Sequence, residues 1–224
     1  TLSRSSAASD VYKRQIDGPS ASGKGVLSKK LSKHLNFEIL DSGLLYRAYA
    51  YLFNLNNDHD QTKSDLKKIN FINDPTKIKV FFENREISND LRSEDCAKKA
   101  SELSAKKITR DNLILLQSSF ITDKGLIADG RDMGTIVFPE AKFKFFITAN
   151  QDIRTERRYK ELQNRGQKVN MRDLKMDIIN RDKLDRERIL SPLLPAEDSI
   201  IIDTSSLLPE EVFNSALSSM EIKK

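Results

Sequence analysis

A glycine-rich segment, Ile16 to Gly25 with the sequence IDGPSASGKG, constrains this chain more than any other feature. Gly18, Gly23 and Lys24 fit the first seven positions of the pattern G-x-x-x-x-G-K-[ST], in which backbone N–H groups surround a phosphate and the lysine reaches the outer phosphates. The apolar residues that follow recur at helical spacing, so the segment is expected to open a helix whose N-terminus also favours anions. Gly25 departs from the pattern, because a Ser or Thr that binds Mg²⁺ usually stands there.

The composition limits the class of protein. A chain of 224 residues is long enough for one sizeable α/β core with insertions. Its net charge of +5 suits either nucleic acid or arginines gathered around a polyphosphate. The single cysteine, Cys96, excludes an internal disulfide framework and favours a reducing cytoplasm. With only His34 and His59, a histidine metal cluster is not expected, and no apolar run approaches the ~18 residues of a membrane span.

The start of the chain does not fit this pattern. Residues 1–15 are rich in Ser and Ala and lack the apolar region of a signal peptide. A phosphate loop normally follows a buried Val/Ile strand, whereas Lys13, Arg14 and Gln15 are polar. We therefore interpret residues 1–15 as a non-native or disordered head; the alternative is an ordinary tail that runs into a short strand. The strand before Asp17 is expected to lie centrally in the sheet.

Strand and helix patterns alternate along the rest of the chain, which predicts an α/β fold with a doubly wound parallel sheet. Strands are predicted at 37–41, 125–129, 143–147 and 200–202, with a small hairpin at 77–87 that follows a turn at 73–75. Helices are predicted at 44–53, 64–69, 91–120, 152–164, 171–189 and 209–221. We expect a core formed by 16–64, 106–150 and 181–224, with insertions at 65–105 and 151–180.

The segment Asp129-Gly130-Arg131-Asp132 directly follows an apolar strand. Ligands of open α/β sheets bind at the carboxyl ends of the strands. An acidic residue there can hold the hydration shell of Mg²⁺, and Arg131 can form a forked contact with phosphate. The alternative is an ion-paired turn of no functional importance.

Two arginine groups lie on predicted helices. Arg181, Asp185 and Arg188 have the spacing i, i+4 and i+7, so they share one helix face. That face could meet a phosphate and a sugar hydroxyl, or it could be a solvated ion pair worth a few tenths of a kcal/mol. The second group, on the basic helix at 152–164, comprises Arg154, Arg157 and Arg158. A run of charged residues on a helix is usually a solvated face.

Four separated groups of residues together resemble the bacterial cytidylate kinase family. They are Ile16 to Ser20; Asp41-Ser42-Gly43 with Tyr46-Arg47; Gly125 to Gly134 with Val137-Phe138-Pro139; and Arg181-Asp182 with Asp185, Arg186 and Arg188. The resemblance spans residues 16–220, and nucleoside monophosphate kinases also carry Gly-Lys-Gly in the phosphate loop. It implies a P-loop nucleoside monophosphate kinase fold, with a nucleoside monophosphate-binding subdomain at 65–105 and a short lid at 151–180.

The resemblance implies roles for residues that bind the donor. The ATP phosphates would be held by Gly18, Pro19, Ser20, Ala21, Ser22, Gly23, Lys24, Gly25 and Val26, and Arg157 and Arg158 would close over ATP from the lid. The family usually has Thr in place of Val26, and its hydroxyl helps to hold the donor phosphate; this chain lacks that hydroxyl. Asp129 would hold Mg²⁺ through water.

The resemblance also implies roles on the acceptor side. The CMP phosphate would be bound by Arg47, Arg131 and Arg188, and the sugar by Asp185 with Arg181. The cytosine ring would be read by Ser42, Ser101, Arg110 and Asp132, and Tyr46 would belong to the same CMP site. The catalytic residues would be Lys24, Arg131, Arg181 and Arg188, because phosphoryl transfer depends on positioning and charge neutralisation and needs no nucleophilic side chain.

We therefore expect an enzyme that transfers the γ-phosphoryl group of ATP to CMP or dCMP, giving CDP or dCDP and ADP, with Mg²⁺ as cofactor. One alternative is a kinase of the same fold that acts on UMP or AMP. Another is a basic P-loop protein that binds nucleic acid and uses ATP as a switch, although no basic stripe interleaved with aromatic residues supports it. We expect a cytoplasmic monomer that binds neither nucleic acid nor membrane.

Overall fold

The computed structural model describes residues 13–73 and 78–222. In chain order the elements are β1 (Lys13–Asp17), α1 (Lys24–Leu35), β2 (Glu38–Asp41), α2 (Ser42–Asn56), α3 (His59–Leu66), β3 (Ile69–Asn73), β4 (Ile78–Phe82), β5 (Arg85–Glu86), α4 (Ser88–Leu91), α5 (Glu94–Ser104), α6 (Lys107–Ser118), β6 (Leu126–Gly130), a π-helix (Met133–Val137), β7 (Phe143–Thr148), α7 (Gln151–Asn164), α8 (Met171–Glu187), β8 (Ile200–Asp203) and α9 (Pro209–Ile222). The chain divides into two compact units, one formed by Ser42–Leu116 and the other by the rest.

The larger unit is built on a five-stranded sheet with the order β2-β6-β1-β7-β8. All of its neighbouring strands are parallel, as the alternation of strands and helices predicts. One face of the sheet buries Ile16, Phe145 and Ile202 in an apolar cluster with Leu27 of α1 and Ala216 of α9. A separate small cluster joins α7 to α8. The parallel arrangement brings the carboxyl ends of β1, β2 and β6 to the same edge of the sheet.

Strand β1 lies at the centre of this sheet, although four of its five residues are polar. The Arg14 guanidinium lies 4.4 Å from the centroid of the Phe143 ring and 5.6 Å from that of Phe37, and burial lowers its pKa to about 10. The Gln15 side chain is fully buried and donates from Nε2 to the carbonyl of Phe138. Residues 13–15, which the sequence assigns to the head, therefore belong to the central strand; residues 1–12 lie outside the described part.

The smaller unit, considered by itself, contains an antiparallel sheet with the order β3-β4-β5 and the helices α2 to α6. Ile87 and Val80 are fully buried beside the hairpin, and the backbone N–H of Val80 donates to the Ser88 hydroxyl at 2.9 Å. This unit covers more of the chain than the predicted insertion at 65–105, because α2 and α6 also belong to it. The predicted turn at 73–75 lies largely outside the described residues.

The predicted bounds of the short helix at 64–69 are wrong. Helix α3 begins earlier, because the Asp58 carboxylate caps it by accepting the N–H groups of Asp60 and Gln61 at 2.7 and 2.8 Å. Ile69 instead starts β3, which pairs with β4. The predicted helix at 91–120 is divided into separate helices around Ala105, where the backbone N–H bonds to the carbonyl of Glu102.

Replacing Gln15 with Met is expected to stabilise the protein by about 1 kcal/mol. Within the described residues, Gln15 Oε1 has no hydrogen-bond partner, and a buried unsatisfied acceptor costs about 1–3 kcal/mol. The bond that is lost leaves the Phe138 carbonyl satisfied, since the Ala141 N–H also donates to it at 3.1 Å. Urea unfolding would measure the change. The control is Gln163→Met on the exposed side of α7, which should be nearly neutral; a less stable Gln15→Met protein would contradict the prediction.

Candidate active site

The glycine-rich segment forms a tight loop between β1 and α1. Gly18 has φ 145°, and a Cβ atom there would lie 2.0 Å from the Ile147 carbonyl oxygen, so no larger residue fits. Gly23 caps α1 with φ 98°. Lys24 is buried and its Nζ donates to the Pro19 carbonyl at 2.7 Å, which holds the ammonium group across the loop. Val26 is 48% exposed in the first turn of α1, and its side chain offers no hydroxyl to a ligand.

Lys24 and Asp129 lie close enough for the charge of each to affect the pKa of the other. Burial, followed by the charge of Arg131, lowers the pKa of Lys24 to about 7, although Asp129 and Asp17 oppose this shift. Burial and the neighbouring charge of Asp41 raise the pKa of Asp129 to about 6, against the opposing charge of Lys24. Asp129 Oδ2 accepts a hydrogen bond from the Ser28 hydroxyl at 3.1 Å. Burial therefore disfavours the charged form of both groups, and an incoming anion or cation would change that balance.

The structure brings Arg131, Asp185 and Arg188 together. Arg131 Nε donates to Asp185 Oδ2 at 3.0 Å, and Arg188 Nη1 lies 3.9 Å from Asp185 Oδ1. Although burial opposes the shift, the charges of Arg131, Arg181 and Arg188 hold the pKa of Asp185 below its usual value. Burial alone would lower the pKa of Arg131, but the charge and the hydrogen bond of Asp185 raise it above its usual value. Because the Asp185 and Arg188 side chains are only 6% and 5% exposed, the solvated-pair interpretation of this face is wrong.

Asp17 is a residue whose importance the sequence did not reveal. Its two carboxylate oxygens accept the backbone N–H groups of Met133 and Gly134 at 2.9 and 2.7 Å. These amides begin the π-helix that directly follows Arg131 and Asp132, and Asp132 is itself buried. Burial raises the pKa of Asp17 to about 7, although both backbone hydrogen bonds oppose the shift. The only sequence signal was its position immediately before Gly18.

The three arginines of α7 have different environments. Arg154 is buried and forms a forked ion pair with Asp182 of α8, so it does not belong to a solvated face. Arg157 donates from Nη1 and Nη2 to the hydroxyl and the carbonyl of Thr204 at 2.9 and 2.6 Å. The Thr204 hydroxyl also donates to the Ser22 carbonyl at 2.8 Å, which links Arg157 to the phosphate loop. Arg158 pairs with Glu161 on its own helix at 2.7 Å.

The remaining predicted site residues lie in the smaller unit, considered again by itself. Ser42 is buried at the start of α2, and Arg47 Nη1 donates to the Leu91 carbonyl at 2.8 Å. The Arg110 guanidinium lies 5.9 Å from the centroid of the Tyr46 ring. The Ser101 side chain is buried, and its hydroxyl has no hydrogen-bond partner among the described residues. These polar groups suit a ligand with hydrogen-bonding edges better than an apolar ligand.

A glycine-rich loop after the central strand of a parallel sheet, with a buried lysine and arginines near it, defines a P-loop kinase of the nucleoside monophosphate class. The model of the family described as "Cytidylate kinase" matches residues 15–222. The cytidylate kinase of Shewanella sediminis is 42% identical over 216 residues, which cover 93% of this chain and 94% of that protein. Those of Shewanella baltica and Shewanella putrefaciens are each 41% identical, over 90% of this chain and 91% of their own length.

The chain belongs to the cytidylate kinase family. The family match includes Gln15, so it begins inside β1 and not after it. Of the helices in residues 13–73 and 78–222, none has the length and apolar character needed to cross a membrane.

The raised pKa of Asp17 predicts how its replacement by Asn changes the pH dependence of stability. A carboxyl group with a folded pKa of about 7, against an ordinary value of 3.8, contributes stability that is complete below about pH 4. That contribution is lost as the pH rises through about 7. The unfolding free energy of the wild type minus that of Asp17→Asn should therefore fall between pH 4 and pH 8, by about 1.4 kcal/mol for each unit of pKa shift.

Urea unfolding of both proteins at several pH values would measure this difference. Asp203→Asn is a control with the opposite sign, because hydrogen bonds from Ser205 lower the pKa of Asp203. The stability that Asp203 contributes is present above its unfolded pKa and is lost as the pH falls. A wild-type minus Asp17→Asn difference that stays constant or rises with pH would contradict the assignment.

Proposed function

We propose that the cationic side chains around the phosphate loop catalyse transfer of the γ-phosphoryl group of ATP to CMP or dCMP, with formation of CDP or dCDP and ADP. Membership of the cytidylate kinase family supports this reaction. The observation that carries the proposal in this chain is the buried Arg131–Asp185–Arg188 cluster in the same unit as Lys24 and the glycine loop. Buried arginines held by a carboxylate are preorganised for phosphoryl oxygens, which is the main requirement of this chemistry.

On the donor side, the loop from Gly18 to Val26 would bind the phosphates of ATP through the backbone N–H groups of its residues other than Pro19. Lys24 would leave the Pro19 carbonyl for a phosphoryl oxygen, and the added negative charge would restore the charged form of its ammonium group. Because Val26 lacks the family's usual hydroxyl, the backbone at this position carries the interaction alone. Arg157 and Arg158 would contact ATP from the lid at 151–180.

On the acceptor side, we assign the CMP phosphate to Arg47, Arg131 and Arg188, and the sugar to Asp185 with Arg181. Ser42, Ser101, Arg110 and Asp132 would read the cytosine ring, with Tyr46 in the same site. The buried Ser101 hydroxyl supports this assignment, because an unsatisfied buried group gains most from a ligand that completes its hydrogen bonds. Arg131, Arg181 and Arg188 would then stabilise the charge of the transferring phosphoryl group.

The residues around Asp129 fit a hydrated Mg²⁺ ion. In the described residues, no group of three or more His, Cys, Asp or Glu side chains could hold a metal. Asp129 and Asp41 supply two neighbouring carboxylates, and a Cβ atom on Gly25 would approach Asp129 Oδ2 to 3.7 Å, so glycine leaves room beside it. Mg²⁺ keeps several waters and bridges carboxylates to substrate phosphates. When bound, it would neutralise charge on the phosphoryl oxygens.

We also propose a mobile lid, an oligomeric state and a cellular compartment for the protein. The lid at 151–180 would order when ATP binds, with its base fixed by the contacts of Arg154 and Arg157. We propose a monomer that works in the cytoplasm, in agreement with its single cysteine. Two other functions compete with this one: a kinase for UMP or AMP, and a protein that binds nucleic acid. Measurements of ADP release and of polynucleotide binding would separate them.

Release of ADP should be fastest with CMP and dCMP when the nucleoside monophosphates are compared at equal low concentration with Mg²⁺ and ATP. Ser101→Ala should lower kcat/KM for CMP by about tenfold, the effect of one hydrogen bond to the base, and leave the KM for ATP unchanged. AMP phosphorylated as fast as CMP would show that the cytosine assignment is wrong. Tight, salt-dependent binding of polynucleotides would favour the nucleic-acid alternative.

Replacing Arg188 with Met should remove about 2–4 kcal/mol of transition-state stabilisation, as other deletions of charge-stabilising donors do. Because the Arg188 side chain is buried, with Nε donating to the Ser191 carbonyl at 2.6 Å, the variant should also be less stable. Activity is therefore measured below the melting temperature of the variant. Arg186→Met, which replaces an exposed arginine in the last turn of α8, is the matched control. Wild-type kcat/KM in Arg188→Met would remove Arg188 from the site.

A further inference from the structure

The Arg154 side chain is buried and hydrogen-bonds to three separate parts of the chain. Its side chain is 4% exposed. Nε donates to the Ala149 carbonyl at 3.1 Å, and Nη1 donates to the Ser20 carbonyl at 3.2 Å and to Asp182 Oδ1 at 3.1 Å. Nη2 completes the fork by donating to Asp182 Oδ2. One guanidinium group therefore joins the phosphate loop, the end of β7 and helix α8.

Asp182 connects Arg154 to the candidate site, because α8 also carries Arg181 and Asp185. Asp182 directly follows Arg181 and lies three residues before Asp185, so one turn of helix separates two buried carboxylates. The first is tied to Arg154 and the second to Arg131, at 3.0 Å. Helix α8 is thus attached to the phosphate loop through Arg154 and to the end of β6 through Arg131, with Arg181 next to the first attachment.

We propose that Arg154 is a positioning residue that fixes the distance between the phosphate loop and Arg181. The proposal rests on the proposed function, in which Arg181 acts on the transferring phosphoryl group. Arg154 itself contacts no reacting atom, because its donors are directed to Ser20, Ala149 and Asp182. Its effect on the reaction passes through Arg181.

The chemistry of the contact favours this role over simple support of the fold. A buried ion pair is often no more stabilising than apolar residues of similar volume, so stability alone does not explain it. A planar fork that engages a carboxylate with two parallel bonds does fix orientation, and a lysine cannot reproduce it. In a reaction catalysed by positioning, a displacement of about 1 Å can cost 10²-fold in rate. The ion pairs that Glu156 and Glu161 of α7 form are more exposed than the Arg154–Asp182 pair.

The first test replaces the fork and keeps the charge. Arg154→Lys should lower kcat for CMP about 10- to 100-fold, with the KM values for ATP and CMP changed less than about threefold. Arg165→Lys, just past the end of the same helix, is the matched control and should leave kcat unchanged. Asp182→Asn, which alters the other half of the fork, should reproduce the loss. All rates are measured at a temperature where circular dichroism shows each variant to be folded.

The second test is a double-mutant cycle with Arg181→Met. If Arg154 acts through Arg181, Arg154→Lys should lower kcat less than about threefold in the Arg181→Met background, because the group it positions is gone. Equal losses in both backgrounds would overturn the proposal, as would a raised KM for ATP with unchanged kcat. A folded Arg154→Lys protein with wild-type kcat would also overturn it.

The same measurements separate this proposal from the proposed function. A wild-type protein that does not phosphorylate CMP, or an Arg181→Met protein with full activity, would contradict the proposed function itself. Loss of activity in Arg181→Met together with full activity in Arg154→Lys would contradict only the positioning role.

Discussion

Keeping several cations close together in a buried site is the constraint on which this structure depends. Burial lowers the pKa of Lys24, and Arg131 and Arg181 are near enough to lower it further, because removal from water increases the cost of each charge. Buried carboxylates offset this cost for the arginines: Asp185 neutralises the cluster around Arg131, and its own pKa is lowered. Lys24 donates instead to an uncharged carbonyl, and its pKa lies at about 7.

The parallel sheet supplies the geometry for this balance. Because β1 and β6 are neighbours and point the same way, Asp17 and Asp129 reach the same edge of the sheet from adjacent strands. Asp17 then fixes the start of the π-helix, and Asp129 lies behind the phosphate loop. A π-helix is rare in proteins, and the examples that occur are often located at functional sites. The segment with Arg131 is therefore held on one side by Asp17 and on the other by Asp185.

The parts of the fold that depend on local sequence could be predicted, and those that depend on distant contacts could not. Apolar runs and breakers located four strands of the parallel sheet, β2, β6, β7 and β8, within one or two residues of their observed bounds, whereas β1 was assigned largely to the head. Strand β3 was missed although the apolar Ile69 and Phe71 lie on either side of the polar Asn70. The glycine spacing located the loop. Nothing local indicated that Arg154 would be buried on Asp182, since a charge run usually faces solvent and the partner lies on another helix.

The central position of β1 also bears on how the protein reaches its native state. Asp17 pairs with Gly130 and Phe146, so the strand can join its sheet only after more than half of the chain has been made. Contacts between such distant residues slow folding, and an apolar strand that waits for its neighbours is prone to aggregate. Lys13, Arg14 and Gln15 keep this segment hydrophilic during that interval.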